Sequence, residues 1–245
     1  NYATPVGLMG GEPYRIMELT PYVGASKATS SVILYVMMHI FSHFCFWFFS
    51  IFLYLALRPV DIAMGTILAV VGAVSLLAIY FFMKGYKNGM AVRTLKLLQH
   101  IPFVKEWAKR FSENKREALE RVDSQIAELH KQRRSTFYAS LSLEFMARII
   151  GCLEVYFILN ILTTDVSFPA CILIMAFTSL FANLFFFSPM QLGAREGGFA
   201  LAVGGLAIPG AFGVYTGLIT RVRELIWIVI GVLLMKVGNG TPANK

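Results

Sequence analysis

Ten ionisable side chains occur where an otherwise apolar chain leaves them little water. They are Glu12 and Arg15; Glu144, Arg148 and Glu154; the neighbours Arg195 and Glu196; and Arg221, Arg223 and Glu224. Arginine stays charged, and its planar fork grips phosphate or carboxylate oxygens two at a time. Glutamates among such arginines either neutralise them or meet a cationic group. Glu144 and Arg148 stand four apart, so they share a helix face and can pair. A charge at the centre of a bilayer costs about 2.5–3.5 kcal/mol on insertion scales, so these groups cannot all face lipid alone. They either tie helices together as ion pairs or line a polar cavity, and their number favours the cavity. The candidate site is therefore Glu12, Arg15, Glu144, Arg148, Arg195, Glu196, Arg221 and Arg223, read as a binding set with no catalytic member.

Other chemistries find less support. His39 and His43 have the i, i+4 spacing of a helical metal pair, but no carboxylate accompanies them in that stretch and aromatics surround them. They read as hydrogen-bonded packing residues, and neither a metal nor a cofactor is expected. Cys45, Cys152 and Cys171 lie in apolar stretches without CxxC spacing, as small buried hydrophobes do. No serine-centred elbow, phosphate-binding P-loop or metal-hydrolase motif occurs. The chain is accordingly not expected to be an enzyme or an ATP-driven pump.

The elements that must position these charges are long and apolar. Of 245 residues 57% are hydrophobic and 15% charged, against about 25% charged in a typical soluble domain. Run length decides: crossing about 30 Å of hydrocarbon takes roughly 20 apolar residues. Ser31–Leu57 and Ile62–Met83 hold no Asp, Glu, Lys or Arg at all. Spans are predicted over about Thr29–Leu57, Asp61–Met83, Thr136–Leu162, Phe168–Phe187 and Ala211–Val237. The short apolar piece Phe199–Ile208 cannot cross and is predicted to be a re-entrant half-helix, broken by Pro209 and Gly210. The fold class expected is all-α, a polytopic transmembrane helical bundle. A start at Asn1, with no signal peptide ahead of the first span, reads as a trimmed N-terminus.

Residues 84–134 are different material, with thirteen of the 22 Lys and Arg against six acidic residues. Excess Lys and Arg beside spans marks the cytoplasmic side. Val104, Trp107 and Phe111, then Leu119, Val122, Ile126 and Leu129, recur at helical spacing. Amphipathic helices are predicted, the first lying on the anionic leaflet. That location accounts for the charge, so nucleic acid is not an expected partner. The organisation is thus 1–83, a first motif and a transmembrane hairpin; 84–134, the basic linker; and 135–245, a second hairpin, a second motif and the last span.

The two motifs resemble each other. Pro5 lies seven residues before Glu12, with Gly7, Gly10, Gly11 and Arg15 around it; Pro189 lies seven before Glu196, with Gly193, Arg195, Gly197 and Gly198. Each reads as a glycine-rich loop, an acid beside a base, then a short helix: two re-entrant motifs related as internal repeats. Irregular backbone at membrane depth is tolerated only against protein or a watery cavity, and transporters build substrate sites from such pieces. A helix N-terminus after Gly193 also aims N–H groups at an anion such as a phosphate headgroup.

Ser188–Gly198, read SPMQLGAREGG, resembles the P-x-x-x-G-x-R-E signature of the lysylphosphatidylglycerol synthase transmembrane region, the flippase-like family. Pro5 through Leu19, with Gly10, Glu12 and Arg15, is similar to its upstream G-E-x-x-R-x-x-x-L motif. Arg221 and the apolar run to Gly231 resemble its last segment. The resemblance implies a bacterial or archaeal inner-membrane lipid translocase. Its cargo would be aminoacyl-phosphatidylglycerol or another anionic lipid or glycolipid, held by the phospholipid headgroup. The synthase domain is absent, so lipid synthesis is not carried over. Homo-oligomer formation and a lipid-modifying enzyme partner stay open. Gln191 stands where the signature commonly has glycine, and members usually have further spans before the first motif, so a fragment is expected. The alternative reading is a non-transporting scaffold or partner subunit of a lipid-modifying enzyme. A third, an intramembrane enzyme acting on lipid, has no recognisable nucleophile and base.

Overall fold

The computed structural model describes residues 11–88, 124, 134–163, 165–185 and 191–238. Among these residues there are seven helices and no strand. The first is α1 (Gly11–Val23), and then come α2 (Ala25–Leu57), α3 (Ile62–Asn88) and α4 (Arg134–Leu162). The last three are α5 (Phe168–Leu184), α6 (Ala194–Gly204) and α7 (Gly210–Gly238). Helices α2, α3 and α4 are long and apolar enough to cross a bilayer, and α5 is a shorter apolar helix of 17 residues. Helix α7 has the length of a span, and Arg221, Arg223 and Glu224 interrupt its apolar run. The predicted linker helices of 84–134 fall almost wholly outside the described residues, as do Pro5 and Pro189. Two compact units divide the chain, one within Glu12–Ile149 and one within Ile150–Lys245.

In the first unit, local chemistry sets the helix ends. Arg58 N–H closes on Tyr54 O at 2.9 Å, and Pro59, without an N–H, cannot extend α2. Asp61 Oδ1 accepts the Met64 N–H at 2.8 Å. That is N-cap geometry, so α3 begins just after Asp61 rather than on it. Phe41 stacks on Phe82 with ring centroids 4.1 Å apart, and a methyl added at Gly72 would touch Ile51 Cδ1 at 3.4 Å. Both pairs have the same sum of residue numbers, as antiparallel neighbours require. Met38, Phe41, Phe82 and Phe137 form the buried core, joining α2, α3 and the start of α4.

The outer faces identify the solvent. Of the described side chains of α3, only Ser75 and Phe82 are buried, whereas Ile67, Val70, Val74, Leu77 and Phe81 are exposed. Water-exposed monomer surfaces rarely carry apolar patches beyond a few hundred Å². Hydrocarbon is the medium such helices fit, and the chain is a multi-pass membrane protein.

In the second unit, Asn160 fastens the turn after α4. Its Nδ2 donates to Tyr156 O at 2.9 Å and to Val166 O at 3.0 Å, and its Oδ1 accepts the Val166 N–H at 3.2 Å. Helix α5 then starts at Phe168, with Pro169 in its first turn, where proline loses nothing. The core joins Val155 and Leu159 of α4, Cys171 and Ile174 of α5, and Phe199 and Val203 of α6. Helix α6 begins at Ala194, directly after Gly193 as the motif predicted and ahead of the apolar piece at Phe199, because Gly193 (φ 79°) and the Glu196 side chain cap it. It stops at Gly204, and Ala207 (φ 62°) turns the chain before Ile208.

Candidate functional site

Helices α6 and α7 meet backbone to backbone. A methyl added at Gly213 would lie 2.4 Å from Phe199 O, and one at Gly217 would lie 3.2 Å from Glu196 Cγ. Gly213, Gly217 and Arg221 recur every four residues, so the stripe that lets α6 approach also carries the arginine that meets it. Beside it runs a second stripe of Thr216, Thr220 and Glu224, all buried. The threonine hydroxyls are satisfied within α7, Thr216 on Phe212 O and Thr220 on Gly217 O, each at 2.8 Å.

Three ion pairs converge on the middle of α7. Arg221 Nε donates to Glu196 Oε1, and Arg195 Nη1 donates to Glu224 Oε1. Arg223 Nη1 lies 2.6 Å from Glu154 Oε2 on α4. Glu196 is further engaged, since its Oε2 accepts the Gly193 N–H at 2.9 Å. Arg221 Nη2 also donates to Gln191 O at 3.1 Å. The loop, the capped N-terminus of α6 and the centre of α7 thus form one hydrogen-bonded set. Gln191 itself has φ 51°, a left-handed conformation that suits glycine.

A separate polar cluster lies in the first unit. Arg148 Nε donates to the Ser42 hydroxyl at 2.7 Å, and its Nη2 donates to His39 O at 2.9 Å. Its Nη1 lies 3.2 Å from His43 Nδ1. His39 Nδ1 is 3.4 Å from Glu144 Oε2 and equally 3.4 Å from Arg148 Nη2. A neutral imidazole nitrogen either donates or accepts, so only one of these bonds is made at a time. On α2 the rings of Tyr35, His39, His43 and Trp47 follow one another every four residues, with centroids 5.3–6.1 Å apart. Arg15 of α1 caps this ladder, its Cζ 4.9 Å from the Tyr35 ring centroid, a cation–π distance. Beside the ladder an open cavity of about 560 Å³ lies between α2 and α4. Its wall is largely apolar, with Ser31, Tyr35, Thr136, Ser140 and Glu144 as polar members.

The eight predicted site residues therefore divide between two places. Arg195, Glu196 and Arg221 come together around α6, with Arg223 next to them on α7. Glu144 and Arg148 come together against α2, with Arg15 nearby. Glu12 occupies the first turn of α1. The structure adds Glu154 and Glu224 as partners, and Ser42, His39 and His43 as the surface that receives Arg148. The i, i+4 pairing of His39 and His43 was the sequence signal for the latter. No residue pattern linked Glu224 to Arg195. Among the described residues no group of three His, Cys, Asp or Glu could hold a metal ion.

The fold and these clusters define a class: a multi-pass helical membrane protein with its charges gathered on and around long helices. Within that class the chain belongs to the family described as Lysylphosphatidylglycerol synthase TM region, whose model matches residues 1–231. That family and the membrane helices place the protein in lipid-related function. No curated protein and no solved structure matches the chain.

Proposed function

We propose that the protein translocates phospholipid across the membrane, with aminoacyl-phosphatidylglycerol or another anionic lipid or glycolipid as cargo. The observation that carries this reading is the open cavity beside Glu144, where helices immersed in hydrocarbon present an acid, a phenol, two serines and a threonine. Its volume of about 560 Å³ falls within the 300–1,000 Å³ usual for ligand pockets. In this reading Glu144, Arg148, Arg15 and Glu12 serve the headgroup path. The short helices α1 and α6 are re-entrant counterparts, since neither has the length to cross. The protein resides in the inner membrane with 84–134 on the cytoplasmic side, and it moves lipid without altering it.

A second reading has its own support. Arg195, Glu196 and Arg221 are paired and hydrogen-bonded, as they would be in a scaffold or partner subunit whose charges serve only the fold. Reconstitution in vesicles separates the two. Tail-labelled lipid should become accessible to an external quencher faster than in empty vesicles, and Glu144→Ala should slow it several-fold while the chain still elutes as folded protein. Unchanged flux in Glu144→Ala sinks the cavity assignment, and no flux above empty vesicles favours the scaffold.

A further inference from the structure

Of the arginines in α6 and α7, Arg223 is held least. Its side chain is 48% exposed and that of its partner Glu154 is 25% exposed, whereas the members of the Arg195–Glu224 and Arg221–Glu196 pairs are no more than 18% exposed. A guanidinium carries five N–H donors in a planar fork, and the contact with Glu154 engages Nη1.

The surroundings of this pair are apolar and face outward. On α4, Ile150, Phe157 and Ile161 share the face of Glu154 at helical spacing and are 60% exposed or more. On α7, Ile219, Ile226 and Trp227 stand four before, three after and four after Arg223, and all are exposed. A single anion-seeking group between two apolar rails has the outline of a phospholipid, one phosphate above two chains. A free phosphate would use the arginine and leave the rails without a role.

The geometry points to a phospholipid site at Arg223, with the phosphate in the guanidinium fork, the chains along the two rails, and Glu154 as the built-in competitor. Phosphate and carboxylate suit the same fork, so a lipid that binds displaces Glu154 and a lipid that leaves is replaced by it. The inference rests on the transport reading. Arg223 stands about 20 Å along the 29-residue α7, so a headgroup that meets it has left the interface and is in transit.

Trp227, one turn from Arg223, is the reporter. The full chain is placed in vesicles of an uncharged digalactosyl lipid containing either tail-brominated phosphatidylglycerol or tail-brominated diacylglycerol of the same chains, which lacks the phosphate. The fluorescence lost relative to a Trp227→Phe chain gives the quenching of Trp227. Half-quenching is expected at about a tenfold lower mole fraction of the anionic lipid, the ratio one charge-assisted hydrogen bond supplies. Arg223→Gln should abolish the preference, Arg223→Lys should keep part of it, and Glu154→Gln should enlarge it by freeing the fork. Equal quenching by the two lipids in the unaltered chain overturns the site, as does an unchanged preference in Glu154→Gln. Loss of the preference on adding inorganic phosphate assigns Arg223 to a soluble anion and overturns the lipid. Resistance of Trp227 to both lipids shows a face covered by protein and does the same. Flux of labelled lipid is read in the same vesicles. A preference without flux removes the transport reading and leaves the site, and flux without preference removes the site alone.

Discussion

Gly213→Ala is the sharpest test of how α6 is held. The added methyl would lie 2.4 Å from Phe199 O, 2.6 Å from Phe199 C and 2.7 Å from Ala200 Cα. All three are backbone atoms, so no rotamer change relieves the overlap. Reaching an ordinary contact near 3.4 Å requires α6 to move by about 1 Å against α7. That movement stretches the Arg221–Glu196 bond. Overpacking costs about 1–3 kcal/mol, and weakening a charge-assisted bond adds up to about 2 kcal/mol. The expected loss is about 1–5 kcal/mol, or roughly 2–20 °C in Tm for a chain of this size. Gly231→Ala is the control: among the described residues nothing lies within 4 Å of its new methyl, and alanine gains about 0.5–1 kcal/mol of helix stability. Gly217→Ala should fall between them, because it meets the Glu196 side chain first, at 3.2 Å. The assay is thermal unfolding of the purified protein in detergent, read by size-exclusion chromatography. A Gly213→Ala chain as stable as Gly231→Ala refutes the backbone contact and the placement of α6.

Three further outcomes follow from the same geometry. Glu196→Gln removes the carboxylate that Arg221 Nε meets and should cost about 3–5 kcal/mol; adding Arg221→Gln should recover part of that in a double-mutant cycle, and strictly additive losses would argue against the pair. Gln191→Gly relieves a left-handed residue worth about 1–2 kcal/mol, less about 0.5–1 kcal/mol of glycine entropy, so Tm should rise slightly; a fall contradicts it. The Arg221 bond to the residue 191 carbonyl survives that change because it is made to backbone. Arg148→Gln leaves the buried Ser42 hydroxyl donating to His39 O at 2.9 Å but removes the charged donors to Ser42 Oγ and His39 O, and should cost about 1.5–3 kcal/mol; limited proteolysis no faster than in the unaltered chain would refute it.

Much of the fold was legible because spans announce themselves by length. Leu57 and Phe168 mark helix ends where they were expected, since Pro59 and Pro169 punctuate the chain there. The start of α6 was not legible from apolar content. It is set by Gly193 and by the Glu196 carboxylate returning to the Gly193 N–H, a capping effect that hydropathy does not register. The site was legible as a set of residue types but not as a set of contacts. Glu196 and Arg221 are 25 residues apart, and Arg195 and Glu224 are 29 apart; no local period relates partners at such distances. Glu144 and Arg148 share a helix face by spacing, and both also reach α2, where His39, Ser42 and His43 offer partners that spacing alone does not reveal.

The three ion pairs of α7 also bear on the order in which the chain is made. Glu154, Arg195 and Glu196 all precede their partners Arg223, Glu224 and Arg221. Synthesis therefore delivers every counter-charge before the helix that needs it. By the time α7 leaves the ribosome, its most costly residues enter a membrane where their neutralising groups are already present. Helix α7 is the least apolar of the long helices near its centre and the last to appear, and the earlier part of the chain serves as its insertion partner.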